Sequence, residues 1–162
     1  MNYDVTISAE IKQTLTNAST LDAPQELKKL LSSAAAFTSQ VSVFSEGKLK
    51  STRDGRIKLI FKSTNGRSNE ISFERNDPSL ILLCRGECDI QEKVTVFLEE
   101  GKRRRCVAKG PGGERIEYIV YAGKVDNRLL KSGKLTLEYV IEVCGIRAEA
   151  TKMELTVNHM EK

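Results

Sequence analysis

Residues 135–143 read Leu135-Thr136-Leu137-Glu138-Tyr139-Val140-Ile141-Glu142-Val143, and every second side chain in this stretch is apolar. Successive side chains of a β-strand point to opposite faces, so the alternation predicts a strand with one buried and one solvent-facing side. Similar stretches recur along the chain, separated by Gly, Asn or Asp residues that favour turns. The pattern predicts an antiparallel meander of about ten strands.

One segment near the start of the chain departs from this alternation. Leu27, Leu30 and Leu31 recur at helical spacing, and Pro24 suits the first turn of a helix. We therefore predict one short helix, over about 22–36, inserted after the first strand.

The other connections are short, so strands that follow one another are expected to pair. This favours an all-β fold, an antiparallel up-and-down β-barrel whose first and last strands meet, over a Greek-key sandwich. In the last strand, Ala148 and Ala150 fall on the opposite parity to Met153 and Leu155, which predicts a β-bulge near Thr151. The turns that support this order are Asp54-Gly55, Asn76-Asp77-Pro78 and Asp126-Asn127.

Composition narrows the class of protein. A chain of 162 residues suits one domain, 1–162, and 40% hydrophobic with 30% charged residues is typical of a globular protein. The formal net charge of +4 is mild and spread along the chain, whereas strong nucleic-acid binders are usually more lopsided. The first residues resemble no secretory signal, and no apolar run reaches the length of about 20 residues that a membrane span needs. We expect a cytoplasmic protein with its cysteines as thiols.

Several landmarks follow one another along nearly the whole chain. They are Ser45-Glu46-Gly47-Lys48, Gly55-Arg56-Ile57-Lys58-Leu59-Ile60-Phe61, Leu83-Cys84-Arg85-Gly86-Glu87, Val94-Thr95-Val96-Phe97-Leu98-Glu99-Glu100-Gly101 and Gly133-Lys134-Leu135-Thr136-Leu137-Glu138-Tyr139. Their order resembles that of the YwiB-like family of small bacterial proteins. The resemblance implies a lipocalin-like, calycin-type β-barrel in a bacterial cytoplasm. It implies no reaction and no particular ligand.

Arg85 is the most informative candidate for a site. An Arg at a strand end can plug the mouth of a small barrel, pair with a carboxylate or meet an anionic ligand; inside the barrel its charge would have to be paired. The sequence favours a structural role for Arg85, and the alternative is a ligand site that Arg85 forms with Tyr118 and Tyr139. Its candidate carboxylate partners are Glu87, Glu138 and Glu142.

The run Lys102-Arg103-Arg104-Arg105 is the densest cluster of positive charge. Such a run can bind a phosphate backbone or an acidic partner. It can also prevent an edge strand from pairing with other chains. Glu99 and Glu100 lie beside it, and no aromatic residues flank it for stacking on RNA bases. The sequence favours the guarded edge.

No motif points to a metal, a cofactor or catalysis. Cys84 and Cys88 are spaced Cys-x₃-Cys, whereas zinc sites favour Cys-x₂-Cys pairs, so we expect Cys106 and Cys144 as well to be free thiols. Gly110-Pro111-Gly112-Gly113 lacks the Lys-Ser/Thr ending of a phosphate-binding loop, and His159 lies too near the end of the chain to suggest catalysis.

The sequence favours a non-enzymatic barrel that binds a small apolar or amphipathic ligand. The alternative is an interaction module that binds RNA or a protein through the basic outer surface. An enzyme with a site at the barrel mouth, around Arg85 and Tyr139, is the least favoured interpretation. The oligomeric state is not predicted.

Overall fold

Ten antiparallel strands form one continuous sheet in the computed structural model, which describes residues 2–17, 39–62, 68–86, 93–109, 113, 115–143 and 147–159. The all-β prediction is confirmed. The strands are β1 (Asn2–Asn17), β2 (Ser39–Ser51), β3 (Arg56–Lys62), β4 (Ser68–Glu74), β5 (Asp77–Gly86), β6 (Lys93–Glu99), β7 (Arg103–Lys109), β8 (Arg115–Arg128), β9 (Lys134–Val143) and β10 (Arg147–His159). A one-turn helix, α1 (Leu129–Ser132), lies between β8 and β9.

The order of strands across the sheet is β6-β5-β4-β3-β2-β1-β10-β9-β8-β7. The first and last strands meet, as predicted, and pair from Val5 opposite His159 to Asn17 opposite Arg147. The two margins of the sheet are therefore β6 and β7, which follow each other directly in the chain. Because the sheet curls until these margins approach, it forms a nearly closed barrel.

The line between β6 and β7, which we call the seam, carries no ladder of backbone hydrogen bonds. The Lys102 N–H donates to the Glu99 carbonyl (3.0 Å) and closes a tight turn. The backbone of that turn bonds to β8 instead of starting a hairpin: the Gly101 N–H donates to the Ala122 carbonyl (2.8 Å), and the Ala122 N–H donates to the Lys102 carbonyl (3.3 Å). The prediction that consecutive strands pair is wrong here, because these bonds to β8 draw the turn away from a ladder.

The core lies inside the barrel and consists of inward side chains from every strand. In β3, for example, Ile57, Leu59 and Phe61 are buried and the residues between them are not. Fully burying an aliphatic or Phe side chain contributes about 1.5–3 kcal/mol, so the repeated alternation supplies most of the driving force for closure. The largest fully buried side chains are Tyr139, Phe73, Ile7, Ile57, Leu59, Ile71, Ile81, Leu83, Leu98, Leu135 and Leu137.

The two ends of the barrel differ. Successive antiparallel strands alternate in direction, so every second connection lies at the same end. One end, the turn end, holds the tight connections β2–β3, β4–β5 and β6–β7 together with α1. The other end, the loop end, receives the remaining connections, and the helix predicted over 22–36 lies in one of them, outside the described residues. Among the described residues, no helix has the length and apolar character needed to cross a bilayer.

The predicted hairpin turn at Asp54-Gly55 is confirmed. Gly55 has a φ of 84°, which favours glycine, and it lies between β2 and β3. The Thr52 hydroxyl donates a hydrogen bond to the Asp54 carboxylate, and this bond lowers the pKa of that exposed carboxyl below its usual value.

The predicted turn at Asp126-Asn127 is wrong. Strand β8 continues to Arg128, and the Asn127 side-chain oxygen accepts the Leu129 N–H (3.2 Å) at the start of α1. Gly133 ends the helix with a φ of 71°, and its N–H donates to the Leu129 carbonyl (3.1 Å). Four residues are too few to show helical periodicity, so the alternation analysis could not find α1.

The predicted bulge near Thr151 is also wrong. Strand β10 keeps an unbroken register with both β1 and β9, so Thr151 points inward and Ala150 outward. The prediction failed because it took the alanines to mark the inner face, whereas polar residues occupy that face at the loop end. The registers shift instead in β4, between Ser72 and Glu74, and in β8, between Ala122 and Lys124.

Candidate functional site

The inner face of the barrel becomes polar toward the loop end. Gln13 of β1 lies opposite Thr151 of β10, and Thr151 lies opposite Tyr139 of β9. Thr151 and Tyr139 are both 0% exposed, and Glu149 lies one inward position further along β10. We call Gln13, Tyr139, Glu149 and Thr151 the polar belt.

Hydrogen bonds join three members of the polar belt. The Gln13 side-chain amide donates to the Glu149 carboxylate (3.0 Å) and, more weakly, to the Thr151 hydroxyl (3.5 Å). Tyr139 and Glu149 are also engaged in interactions with other residues. Among the described residues, every buried side-chain nitrogen and oxygen has a partner, so the cost of burying these polar groups is offset.

The structure places the predicted ligand residues as follows. Tyr139 belongs to the polar belt, and Tyr118 lies half-buried on β8, further toward the loop end. Arg85 lies in β5 near the loop end, opposite Asn69 of β4 and Val94 of β6, while its side chain lies outside the part that the structure describes. Tyr118 and Tyr139 therefore share the inner face of adjacent strands.

The carboxylates predicted as partners of Arg85 have other contacts. Glu138 lies 3.8 Å from the Lys152 ammonium, and Glu142 lies 3.2 Å from the Arg103 guanidinium. Both glutamates point to the outer face, because their parity on β9 is opposite to that of Tyr139. Glu142 is nevertheless only 8% exposed, so the ion pair with Arg103 offsets part of the cost of burying its carboxylate. Glu87 lies outside the described residues.

Sequence reasoning missed Gln13, Glu149 and Thr151. Gln13 continues the odd-numbered series Val5, Ile7, Ala9 and Ile11, so alternation alone assigns it to the inner face. The available signal was a polar residue at the end of this otherwise apolar series. Glu149 and Thr151 gave no comparable clue, because the expected bulge placed them on the outer face.

The basic run lies along the β7 margin of the seam. Arg103 pairs with Glu142 (3.2 Å), and Arg104 crosses the seam to pair with Glu99 of β6 (2.6 Å). Lys102 lies in the tight turn, and Arg105 is exposed on the outer face. Two of the three arginines are thus committed to carboxylates of this chain. The arrangement favours a role for these charges in preventing edge-to-edge pairing over a role in binding a nucleic acid.

The two described cysteines are free thiols, half-buried Cys84 on β5 and buried Cys106 on β7. Cys84 has the parity of the outer face and Cys106 belongs to the interior cluster. Within the described ranges, no three His, Cys, Asp or Glu side chains lie together as a set of metal ligands. Cys88 and Cys144 lie outside those ranges.

Comparison with solved structures finds the same architecture elsewhere. The fold is similar to that of the ywiB protein from Bacillus subtilis. Its crystal structure superposes with a TM-score of 0.55, and the match covers 96% of this chain and 93% of that chain at 9% sequence identity. An identity that low shows a shared fold and nothing finer. No family model matches the sequence, and no curated protein matches it.

Proposed function

We propose that this protein is a non-enzymatic, lipocalin-like barrel that binds one small amphipathic molecule at its loop end. We further propose that it is a distant bacterial relative of the YwiB-like proteins. The observation that carries the function is the polar belt, a set of inward, hydrogen-bonding side chains placed directly against an apolar core.

Polar side chains on the inner face add little to the stability of a barrel, because their hydrogen bonds do little more than offset the cost of burying them. Small barrels can hold one ligand, and ligand sites combine apolar walls with a few polar groups that fix orientation. Here Ile11 and Ile141 are partly buried against the core beside the belt and offer the apolar wall. Gln13 and Glu149 offer the polar groups.

The chemistry of the belt defines the ligand class. Glu149 accepts hydrogen bonds, and the amide of Gln13 both donates and accepts. This set suits a molecule with a hydroxyl, amide or amine at its polar end and a small apolar body. These hydrogen-bonding groups of the belt would fix the orientation of such a molecule.

The test begins with native mass spectrometry of freshly purified protein, which reveals a co-purified small molecule. A fluorescence titration with N-phenylnaphthylamine, a neutral amphipathic amine, then measures binding in Glu149→Gln and in a matched control, Glu154→Gln, on the exposed outer face of the same strand. Hydrogen bonds to charged groups contribute about 1.5–3 kcal/mol, so Glu149→Gln should weaken binding by about tenfold or more. The control should bind like the wild type.

Two results contradict the proposal. One is the absence of both a co-purified molecule and saturable binding of the dye. The other is equal affinity in Glu149→Gln and Glu154→Gln, which would place the bound dye away from the polar belt.

A further inference from the structure

Several stretches of strand edge lack a neighbouring strand among the described residues, and they include β6 and β7 along the seam and the first part of β2. Strand β2 pairs with β3 only from Gly47 opposite Phe61 to Ser51 opposite Ile57. From Ser39 to Glu46, β1 is its only neighbour within the described ranges, which leave out 18–38 and 63–67. We call Ser39–Glu46 the free edge.

The free edge differs from the seam in charge. Charged residues near an edge discourage pairing with other chains. The seam has Arg103, Arg104 and Arg105 on one side and Glu99 on the other. The free edge has no proline and a single charge, in the sequence Ser39-Gln40-Val41-Ser42-Val43-Phe44-Ser45-Glu46. An unguarded edge of this length is one that a folded protein normally covers.

Apolar side chains lie uncovered along the same stretch. Phe44 is 76% exposed on the outer face of β2, and Val41 is 41% exposed. An open notch of about 720 Å³ lies where β2 leaves β3, with Gly47 and Phe61 in its wall. An added strand would continue the sheet from the free edge into this notch.

We infer that the free edge pairs, antiparallel, with the free edge of a second copy of this chain. A two-fold axis brings the same surface of both copies together, so the edge must be complementary to itself. With the axis at Val43, Phe44 lies opposite Ser42 of the partner subunit, and both outer-face phenylalanines come within reach of each other. Glu46 lies opposite the uncharged Gln40 of the partner subunit, so no like charges meet.

A second copy fits this edge better than an unrelated peptide does. Strand addition takes its affinity from backbone hydrogen bonds and its specificity from pockets or charges beside the edge. The free edge offers one charge, Glu46, and a row of small side chains broken by Phe44. Self-pairing satisfies these features with the same residues on both sides.

The test compares the molar mass of the wild type with that of Phe44→Lys, by size-exclusion chromatography with light scattering over a range of concentrations. Leu130→Lys is the matched control, since Leu130 is 45% exposed on α1 at the turn end. We expect dimers for the wild type and for Leu130→Lys, and monomers for Phe44→Lys. Ser42→Lys, at another exposed position of the same edge, repeats the test if Phe44→Lys does not fold.

Hydrogen exchange supplies a second measurement. Amides of residues 39–46 should gain protection as the wild-type concentration rises. A wild type that is monomeric throughout, or dimers that persist in both edge variants, would overturn the inference. Equal protection of 39–46 in the wild type and in a monomeric Phe44→Lys would also overturn it, because the edge would then be covered by another part of the same chain.

Discussion

Gly133 shows how one residue fixes a junction between two elements. Its φ of 71° lies in the left-handed region, and a Cβ there would meet the Val157 carbonyl oxygen at 2.4 Å. The Val157 N–H donates to the Gly133 carbonyl (2.7 Å), so the close approach ties the end of α1 to β10. We predict that Gly133→Ala lowers the free energy of unfolding by more than about 2 kcal/mol, from backbone strain and steric overlap together. Urea denaturation measures this loss.

Gly55→Ala is the matched control for this prediction. Gly55 also has a positive φ, 84°, but nothing lies within 4 Å of an added Cβ. Its loss should be limited to the strain of the left-handed conformation, about 1 kcal/mol. Equal losses in the two variants would show that the contact with Val157 contributes nothing.

Arg103 and Glu142 give a second prediction at this scale. Glu142 is largely buried on the outer face, and its carboxylate is paired with the half-exposed Arg103 guanidinium. Removing one member of a buried pair leaves an uncompensated charge, although solvent screens this partly exposed pair. We predict that Arg103→Ala lowers the free energy of unfolding by about 1–2 kcal/mol, in chemical denaturation at neutral pH.

Arg105→Ala serves as the comparison, because Arg105 is exposed on the same strand and the same face. Surface substitutions of this kind usually change stability by no more than about 0.5 kcal/mol. A loss in Arg105→Ala as large as that in Arg103→Ala would indicate a general effect of charge on β7, not the specific pair.

Residue parity also explains what the sequence could predict of the site. The inward position of Tyr139 was predicted because apolar residues recur at every second position of its strand. The same argument could have predicted that Gln13 points inward, because Gln13 continues a series of four apolar residues at every second position. The inward positions of Thr151 and Glu149 could not be predicted in this way. They depend on the register of β10, which its pairing with β1 and β9 sets.

At the scale of elements, the strands differ in how firmly their backbone is held. β1 has hydrogen-bonded neighbours on both sides along most of its length, whereas β6 and β7 each have one. Local opening requires breaking fewer bonds at the margins of the sheet. We predict that amides in the middle of β1 exchange on the order of 100-fold more slowly than those of β6 and β7. Hydrogen exchange followed by mass spectrometry measures the difference, and uniform protection across all three strands would contradict it.

Elements were predicted where their signal is local. Alternation found the strands, and Asp54-Gly55 gave the hairpin turn. The seam could not be predicted, because it depends on hydrogen bonds between the Glu99–Lys102 turn and Ala122 of β8. The free edge was missed for a similar reason. β2 extends beyond the end of β3, and only the register of the pair shows where their hydrogen bonding stops.

For the whole molecule, the proposed function assigns stability to one end of the barrel and binding to the other. The turn end is closed by tight connections and by α1, and the apolar core lies against it. The polar belt lies on the loop-end side of that core, where the longer connections enter. Changes at the loop end can therefore alter recognition while the residues that hold the barrel together stay in place.

The seam has a mechanical consequence for the barrel. In a fully closed β-barrel, the number of strands and their shear fix the diameter. In this molecule the ring is split along one line beyond the tight turn, and the partly exposed ion pair between Glu99 and Arg104 spans the split. Separating β6 from β7 breaks no backbone ladder between them, but it breaks this ion pair, worth no more than about 1 kcal/mol, and exposes Val96 and Leu98, which are buried in the core. An opening along this line therefore leaves the ladders of the other strands intact, and its cost lies mainly in apolar surface.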